Sequence, residues 1–202
     1  MKLYYAPGAC SLSPHIVARE AGIELALEKV DIGTKRTESG RDFLAVNPKG
    51  YVPALELDDG EILTEGPAVV QYLADLKPES GLAPPYGTME RYRLMEALAF
   101  ISSEIHKGYG PLFDPRLTAE ARAERVAYMQ KRFGLVERML DGRPFLLGER
   151  FTCADAYLFV MANWKDYLKV DLSAFANVLA FHARVAARPA VQAALREEGL
   201  IG

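Results

Sequence analysis

Two side chains in this sequence are placed for thiol and proton chemistry. Cys10 follows the apolar run Leu3-Tyr4-Tyr5-Ala6 and the turn Pro7-Gly8, where a strand hands over to a helix. N–H groups at a helix start are unpaired and partly positive, so they favour a thiolate. Such a thiolate attacks a disulfide or a sulfenic acid. The plainer alternative is an inert cysteine at a strand end. His106 lies three residues after Ser103 and seven after Ala99. At about 100° per residue the three share one side of a helix, about 60° wide. That side is apart from the Leu94, Leu98, Ile101 and Ile105 stripe, so it is expected to line a cleft while the stripe faces the core. There an imidazole exchanges a proton near neutral pH. The alternative is a helix-end histidine bonded to the last carbonyls.

Other positions offer binding rather than bond making. Glu65-Gly66 opens a helix, a natural place for an anion. Val52-Pro53 opens a strand, and Lys35 lies in a loop after one. Cys153 also begins a helix, but inside its cap, and reads as structural. His15 and His182 have no comparable neighbours, and three scattered histidines predict no metal site.

The elements that must position these residues fall into two groups. Residues 2–5 read as a strand, and a helix follows, with Ser11 and Ser13 as candidate caps, Pro14 in its first turn and Gly22 at its end. Residues 25–32 read as a second strand, and 43–46 as a short helix stopped by Asn47-Pro48. A hairpin turns at Asp58-Asp59-Gly60 between 52–57 and 61–63, and a helix runs from Glu65 to about Leu76. The order is β-α-β-α-β-β-α. Residues 77–87, rich in Pro, Gly and Ser, read as a linker. Beyond it only helical periodicity remains: 89–107, 118–140, 153–168, 174–187 and 189–197. Thr152 and Asp155 form a capping box, with Phe151 as a possible staple. The expected fold class is therefore α+β followed by all-α: 1–77, a linker at 78–87, and a helical domain over 88–202.

Bulk properties exclude other classes. The 202 residues carry a net charge of −3. Residues 1–80 hold 8 basic and 13 acidic side chains, and the remainder 16 and 14, with no basic footprint for nucleic acid. No apolar run approaches the ~18 residues needed to span a bilayer. The two cysteines lie far apart in unlike contexts, which predicts no disulfide framework and a reducing cytoplasm.

The whole chain resembles the cytosolic glutathione S-transferases. The resemblance is carried by Tyr4-Tyr5-Ala6-Pro7-Gly8-Ala9-Cys10-Ser11, Asn47-Pro48-Lys49-Gly50-Tyr51-Val52-Pro53, Leu63-Thr64-Glu65-Gly66-Pro67-Ala68 and the Thr152–Asp155 cap. Cys10-Ser11 and His106 are similar to the bacterial beta class, whose cysteine forms a mixed disulfide with glutathione. The likeness implies a thioredoxin-like first domain and a cytoplasmic homodimer using glutathione as co-substrate, with no resident cofactor.

It also implies roles. Cys10 and His106 would act beside the glutathione sulfur, with Ser11 close by. Val52, through a cis bond to Pro53, would pair with the cysteinyl backbone, and Lys35 with the glycyl carboxylate. Glu65 and Gly66 would take the γ-glutamyl end. Ser103, Glu104 and Lys107 are further candidate ligands, the last two toward a partner's glutathione. Tyr109, Phe113, Trp164 and Tyr167 are candidates for an apolar pocket, with core packing as their alternative. Gly66 and Ala99 depart from the family's Ser and Asn. The implied reaction is conjugation of glutathione to small apolar electrophiles. Its rivals are glutaredoxin-like thiol–disulfide exchange and non-catalytic binding of glutathione or hydrophobic ligands.

Overall fold

The computed structural model describes all 202 residues. Five strands form one mixed sheet in the order β3-β2-β1-β4-β5. They are β1 (Lys2–Tyr5), β2 (Ala26–Asp31), β3 (Arg36–Thr37), β4 (Ala54–Glu56) and β5 (Ile62–Thr64). β1 runs parallel to β2 and antiparallel to β4, so Leu3 sits opposite both Leu27 and Leu55. The hairpin turns where Asp-Gly predicts it. Gly60 adopts φ +87°, and the Leu57 N–H donates to Glu61 O at 2.8 Å. The two-residue β3 was not expected, because Arg36-Thr37 carries no alternating apolar pattern.

Three helices accompany the sheet: α1 (Leu12–Glu20), α2 (Phe43–Val46) and α3 (Gly66–Asp75). Side chains on a strand alternate in direction. Leu3 and Tyr5 therefore join the large core shared with the later helices, while Tyr4 joins a small one with Val30, Phe43, Val46 and Val52. Neither candidate cap of α1 acts as one. Ser11 makes no capping bond, and the Ser13 hydroxyl donates to the Cys10 carbonyl at 2.7 Å.

From Met89 onward the chain is helical, with α4 (Met89–Phe100), α5 (Lys107–Tyr109), α6 (Ala119–Met139), α7 (Cys153–Leu168), α8 (Ala176–Ala186) and α9 (Pro189–Glu197). The expected single helix over 89–107 is interrupted. Residues Ile101–His106 widen into a π-helical segment, and Gly110–Phe113 tightens into a 3₁₀ turn. The widening rotates everything after it, and His106 is its last residue. α5 also presses on α6: a Cβ on Gly108 would lie 2.6 Å from the Met129 sulfur.

Two polar fixtures hold the helical part in place. Buried Arg91 on α4 grips Asp75 of α3 with two bonds of 2.7 Å and stacks over Tyr86. At the start of α7 the N–H and hydroxyl of Thr152 both donate to Asp155, which also accepts from Leu146 N. Phe151 packs edge-on against Phe145. α7 is buried all round through its first ten residues and forms the spine of the core. No helix is long and apolar enough to cross a membrane.

Candidate active site

Cys10 lies near the end of the loop between β1 and α1. That loop is folded by its own backbone and by the helical part of the chain. Gly8 takes φ +70°, a conformation that favours glycine. Its N–H donates to Glu198 Oε2, and its carbonyl accepts from Trp164 Nε1, both at 2.9 Å. Ser11 is fully buried, and its hydroxyl accepts from Ala6 N and donates to Ala6 O. Ser11 therefore shapes the loop and is absent from the cleft lining.

The cysteine itself departs from the ready thiolate that its position suggests. Cys10 Sγ donates to the Val52 carbonyl at 3.2 Å. Burial pushes its thiol up to about 12, against the backbone N–H groups of Cys10 and Ser11, which favour the anion. The residue keeps some open surface, but desolvation of the sulfur outweighs the helix-terminal amides. Val52 and Pro53 are joined by a cis peptide.

Cys10, Val52, Pro53, Glu65 and Gly66 share a cleft of about 330 Å³ with His106, Lys107, Phe113 and Trp164. A larger hollow, about 1210 Å³ between the linker, α4 and the segment before α7, contains neither cysteine nor histidine. The two side chains placed for thiol and proton chemistry, Cys10 and His106, both line the smaller space.

His106 reaches the cleft as expected, but with different company. In the π-helical segment Ser102 joins it there, while Ser103 is exposed and donates its hydroxyl to the Ala99 carbonyl. The expectation that Ala99, Ser103 and His106 form the cleft side assumed a regular α-helix throughout. The imidazole Nδ1 is 2.6 Å from Tyr157 Oη, and the ring meets Trp164 edge-on at 5.1 Å. Burial, aided by Lys107 and opposed by Glu65, pushes His106 down to about 4, so it is neutral at physiological pH.

The remaining expected residues divide. Glu65 lies at the cleft with φ +70° and is already paired, through Lys49 Nζ at 2.6 Å. Lys35 is outside the lining and donates to Gly50 O at 2.8 Å, beside the Tyr51–Pro53 edge. Glu104 faces α6, accepting from Tyr128 Oη at 2.8 Å and pairing with Arg132. Phe113 and Trp164 stack edge-on at 5.1 Å in the cleft. Tyr109 is buried behind Trp164, and Tyr167 lies at the surface beyond Phe113.

Sequence reasoning passed over Tyr157, Ser102, Lys49 and His15. Tyr157 carried a signal, since it precedes Trp164 by seven residues and so shares its face of α7. His15 is not isolated: it is buried between Glu197 at 2.8 Å and Glu198 at 3.0 Å, a contact joining α1 to α9. Such a long-range pair leaves no local trace.

A thioredoxin-like sheet, a cysteine at its first strand–helix junction and a facing helical domain with a histidine define a class of thiol-handling transferases. Family models agree. "Glutathione S-transferase, N-terminal domain" matches residues 8–76, and "Glutathione S-transferase, C-terminal domain" matches 105–198. Glutathione S-transferase GstA of Escherichia coli O157:H7 is 47% identical over 99% of this chain and 100% of its own. The ternary complex of BphK, a bacterial GST, superposes with a TM-score of 0.97 at 54% identity, covering 99% and 100% of the two chains. A beta-class enzyme of Sphingomonas chungbukensis gives 0.96 at 48%, over 100% of both. The chain belongs to the glutathione S-transferase family, among bacterial beta-class relatives, and its activity is glutathione transfer.

Proposed function

We propose that glutathione lies in this cleft with its sulfur between Cys10 and His106, and that the sulfur attacks a small apolar electrophile held against Phe113 and Trp164. The observation that carries this reading is that Cys10 and His106, from opposite parts of the chain, line one cleft. The γ-glutamyl ammonium would replace Lys49 on Glu65, while the Val52 backbone takes the cysteinyl peptide.

A protonated Cys10 favours conjugation over exchange. Glutathione gives up its thiol proton to solvent, and the Cys10 S–H can turn from the Val52 carbonyl to donate to the resulting thiolate. That thiolate then bonds to the electrophilic carbon and expels a leaving group such as halide. In the mixed-disulfide route Cys10 must first lose its proton. It then attacks one sulfur of glutathione disulfide, and the other half leaves as glutathione thiolate. Burial opposes that first ionisation, so exchange is the slower activity.

Glutathione serves as co-substrate with no resident cofactor, and the working unit is a homodimer. The exposed Met89, Tyr92 and Met95 along α4 support a self-association face.

The test compares wild type, Cys10→Ala and His106→Asn with an activated aryl halide and with glutathione disulfide. Intact-protein mass spectra before and after reductant report any mixed disulfide. Conjugation is expected to exceed exchange and to fall in both variants, with sedimentation giving a dimer. Unchanged conjugation in both variants would remove these residues from the reaction.

A further inference from the structure

The cleft contains a buried phenol that the reaction above does not use. Tyr157, on α7, is 1% exposed, and its Oη lies 2.6 Å from Nδ1 of His106. A Cβ on Gly66 would come within 3.9 Å of Tyr157 Cζ, so the phenol backs onto the cleft floor.

Two arrangements of protons fit that short contact, and they differ in what the imidazole shows the cleft. A neutral imidazole has one N–H. If it sits on Nδ1, it donates to the phenol oxygen, the Tyr157 O–H needs a second acceptor, and a bare Nε2 faces the cleft. If it sits on Nε2, the Tyr157 O–H donates to Nδ1 and an N–H faces the cleft.

The surroundings decide between them. Burial holds the Tyr157 phenol above its ordinary value, and Cys10 and Glu65 reinforce this, so its proton stays. The bond to His106 Nδ1 is the one hydrogen bond the phenol oxygen makes in the structure. Nδ1 is therefore the acceptor within reach of the phenol O–H. A buried donor without an acceptor costs more than an ordinary hydrogen bond gains. One direction satisfies the buried phenol: its O–H donates to His106 Nδ1.

We propose that Tyr157 is a positioning residue that fixes His106 in the Nε2–H tautomer, so that the imidazole presents a hydrogen-bond donor to the cleft. This rests on the reading that His106 stands beside the glutathione sulfur, and it gives that residue a definite role. His106 steadies the thiolate by donation and does not remove the thiol proton. A bare Nε2 would instead meet the thiolate lone pair against lone pair.

The experiment reads the tautomer directly in ligand-free protein. The chain has three histidines, so in ¹⁵N-histidine-labelled protein the His106→Asn spectrum identifies the His106 nitrogens by their loss. The expected wild-type result at pH 7 is a pyridine-like Nδ1 and a pyrrole-like Nε2. In Tyr157→Phe the two nitrogens should move toward averaged or reversed values. Conjugation kcat should fall about 3- to 10-fold, the loss of one hydrogen bond, with KM for glutathione within about two-fold.

A pyrrole-like Nδ1 in wild type overturns the proposal and needs no variant, so a Tyr157→Phe protein that fails to fold does not protect it. An unchanged tautomer and kcat in a folded Tyr157→Phe also overturn it. If instead His106→Asn conjugates at the wild-type rate, the placement of His106 at the sulfur fails while the tautomer result stands.

Discussion

Trp164 Nε1 donates to the Gly8 carbonyl at 2.9 Å, so a side chain of α7 holds the loop that presents Cys10. The N–H of the same glycine is held by Glu198, just beyond α9. The cysteine's position therefore depends on the helical part of the chain as much as on the sheet. Trp164 also packs edge-on against His106, Tyr109 and Phe113. Trp164→Phe keeps an aromatic ring but removes the donor to Gly8. The expected cost is about 1 kcal/mol of stability in urea unfolding, the usual net value of one hydrogen bond. Conjugation should fall further than that loss of stability explains, because both reacting sides of the cleft loosen. Normal kinetics in a destabilised protein would confine Trp164 to packing.

Cys10 is expected to be a sluggish thiol in the ligand-free protein. With the group pushed up to about 12, little thiolate exists at pH 7. Alkylation by iodoacetamide should be slower at Cys10 than at an exposed cysteine with an ordinary pKa near 8.5, and should keep rising with pH beyond 9. Cys153, fully buried and also pushed up, should not react while the protein is folded. Mass mapping of the alkylated peptides separates the two sites. Rapid modification of Cys10 at pH 7 would restore the helix-terminal thiolate that its position in the sequence suggests.

That contrast shows where sequence reading succeeds and where it stops. The sheet and the long helices were legible because Asp-Gly turns, caps and apolar periodicity act over a few residues. The site was legible as a set of motifs, and Cys10, Val52, Pro53, Glu65, Gly66 and His106 do converge. Protonation was not legible, because desolvation depends on what the fold packs around a group. The widened helix at Ile101–His106 was equally hidden: nothing in Ile-Ser-Ser-Glu-Ile-His departs from an α-helical pattern. Ser103 lies outside the cleft, while Ser102, four residues before His106, lines it. The Lys49–Glu65 pair and the Glu197–His15–Glu198 contact arise from pairings that no local spacing encodes.

His106 should also leave a mark on stability in acid. Its folded value of about 4 lies below the ordinary 6.5, with burial as the main cause. Below pH 6.5 the unfolded chain takes up a proton that the folded chain refuses, so folding weakens as pH falls. The loss begins near pH 6.5 and is complete below about 4, at most about 3 kcal/mol. Asp155 works the other way. Burial raises it to about 6, so it adds stability as pH falls through that value. The His106 contribution is therefore measured as a difference, wild type minus His106→Asn, by urea unfolding from pH 7.5 to 4. The difference should shift against wild type as acid is added. A flat difference would mean that the imidazole is not held neutral.

Two positions depart from the family pattern in ways that can be reversed. The family resemblance read from the sequence implies a Ser at the position of Gly66, and the structure shows no obstacle to it here. Gly66 is not among the residues with positive φ. A Cβ there meets only Tyr157 Cζ at 3.9 Å, an ordinary contact. A Ser hydroxyl would add one hydrogen bond to the γ-glutamyl carboxylate, worth about 0.5–1.5 kcal/mol and more to a charged partner. Gly66→Ser should then tighten glutathione binding roughly 2- to 10-fold. Ala99 is exposed on α4, near Met95 and apart from the subunit's own cleft. Ala99→Asn should tighten binding by a similar factor only through a second copy, so its gain should disappear when the protein is diluted to monomer. Calorimetric titration of glutathione into wild type and each variant, with the Ala99→Asn affinity followed by fluorescence across a dilution series, checks both. If Gly66→Ser binds no more tightly, the γ-glutamyl carboxylate does not reach the start of α3 and the expected pose of glutathione is wrong at that end. A gain from Ala99→Asn that persists in the monomer would place residue 99 at its own subunit's ligand, against the geometry of α4.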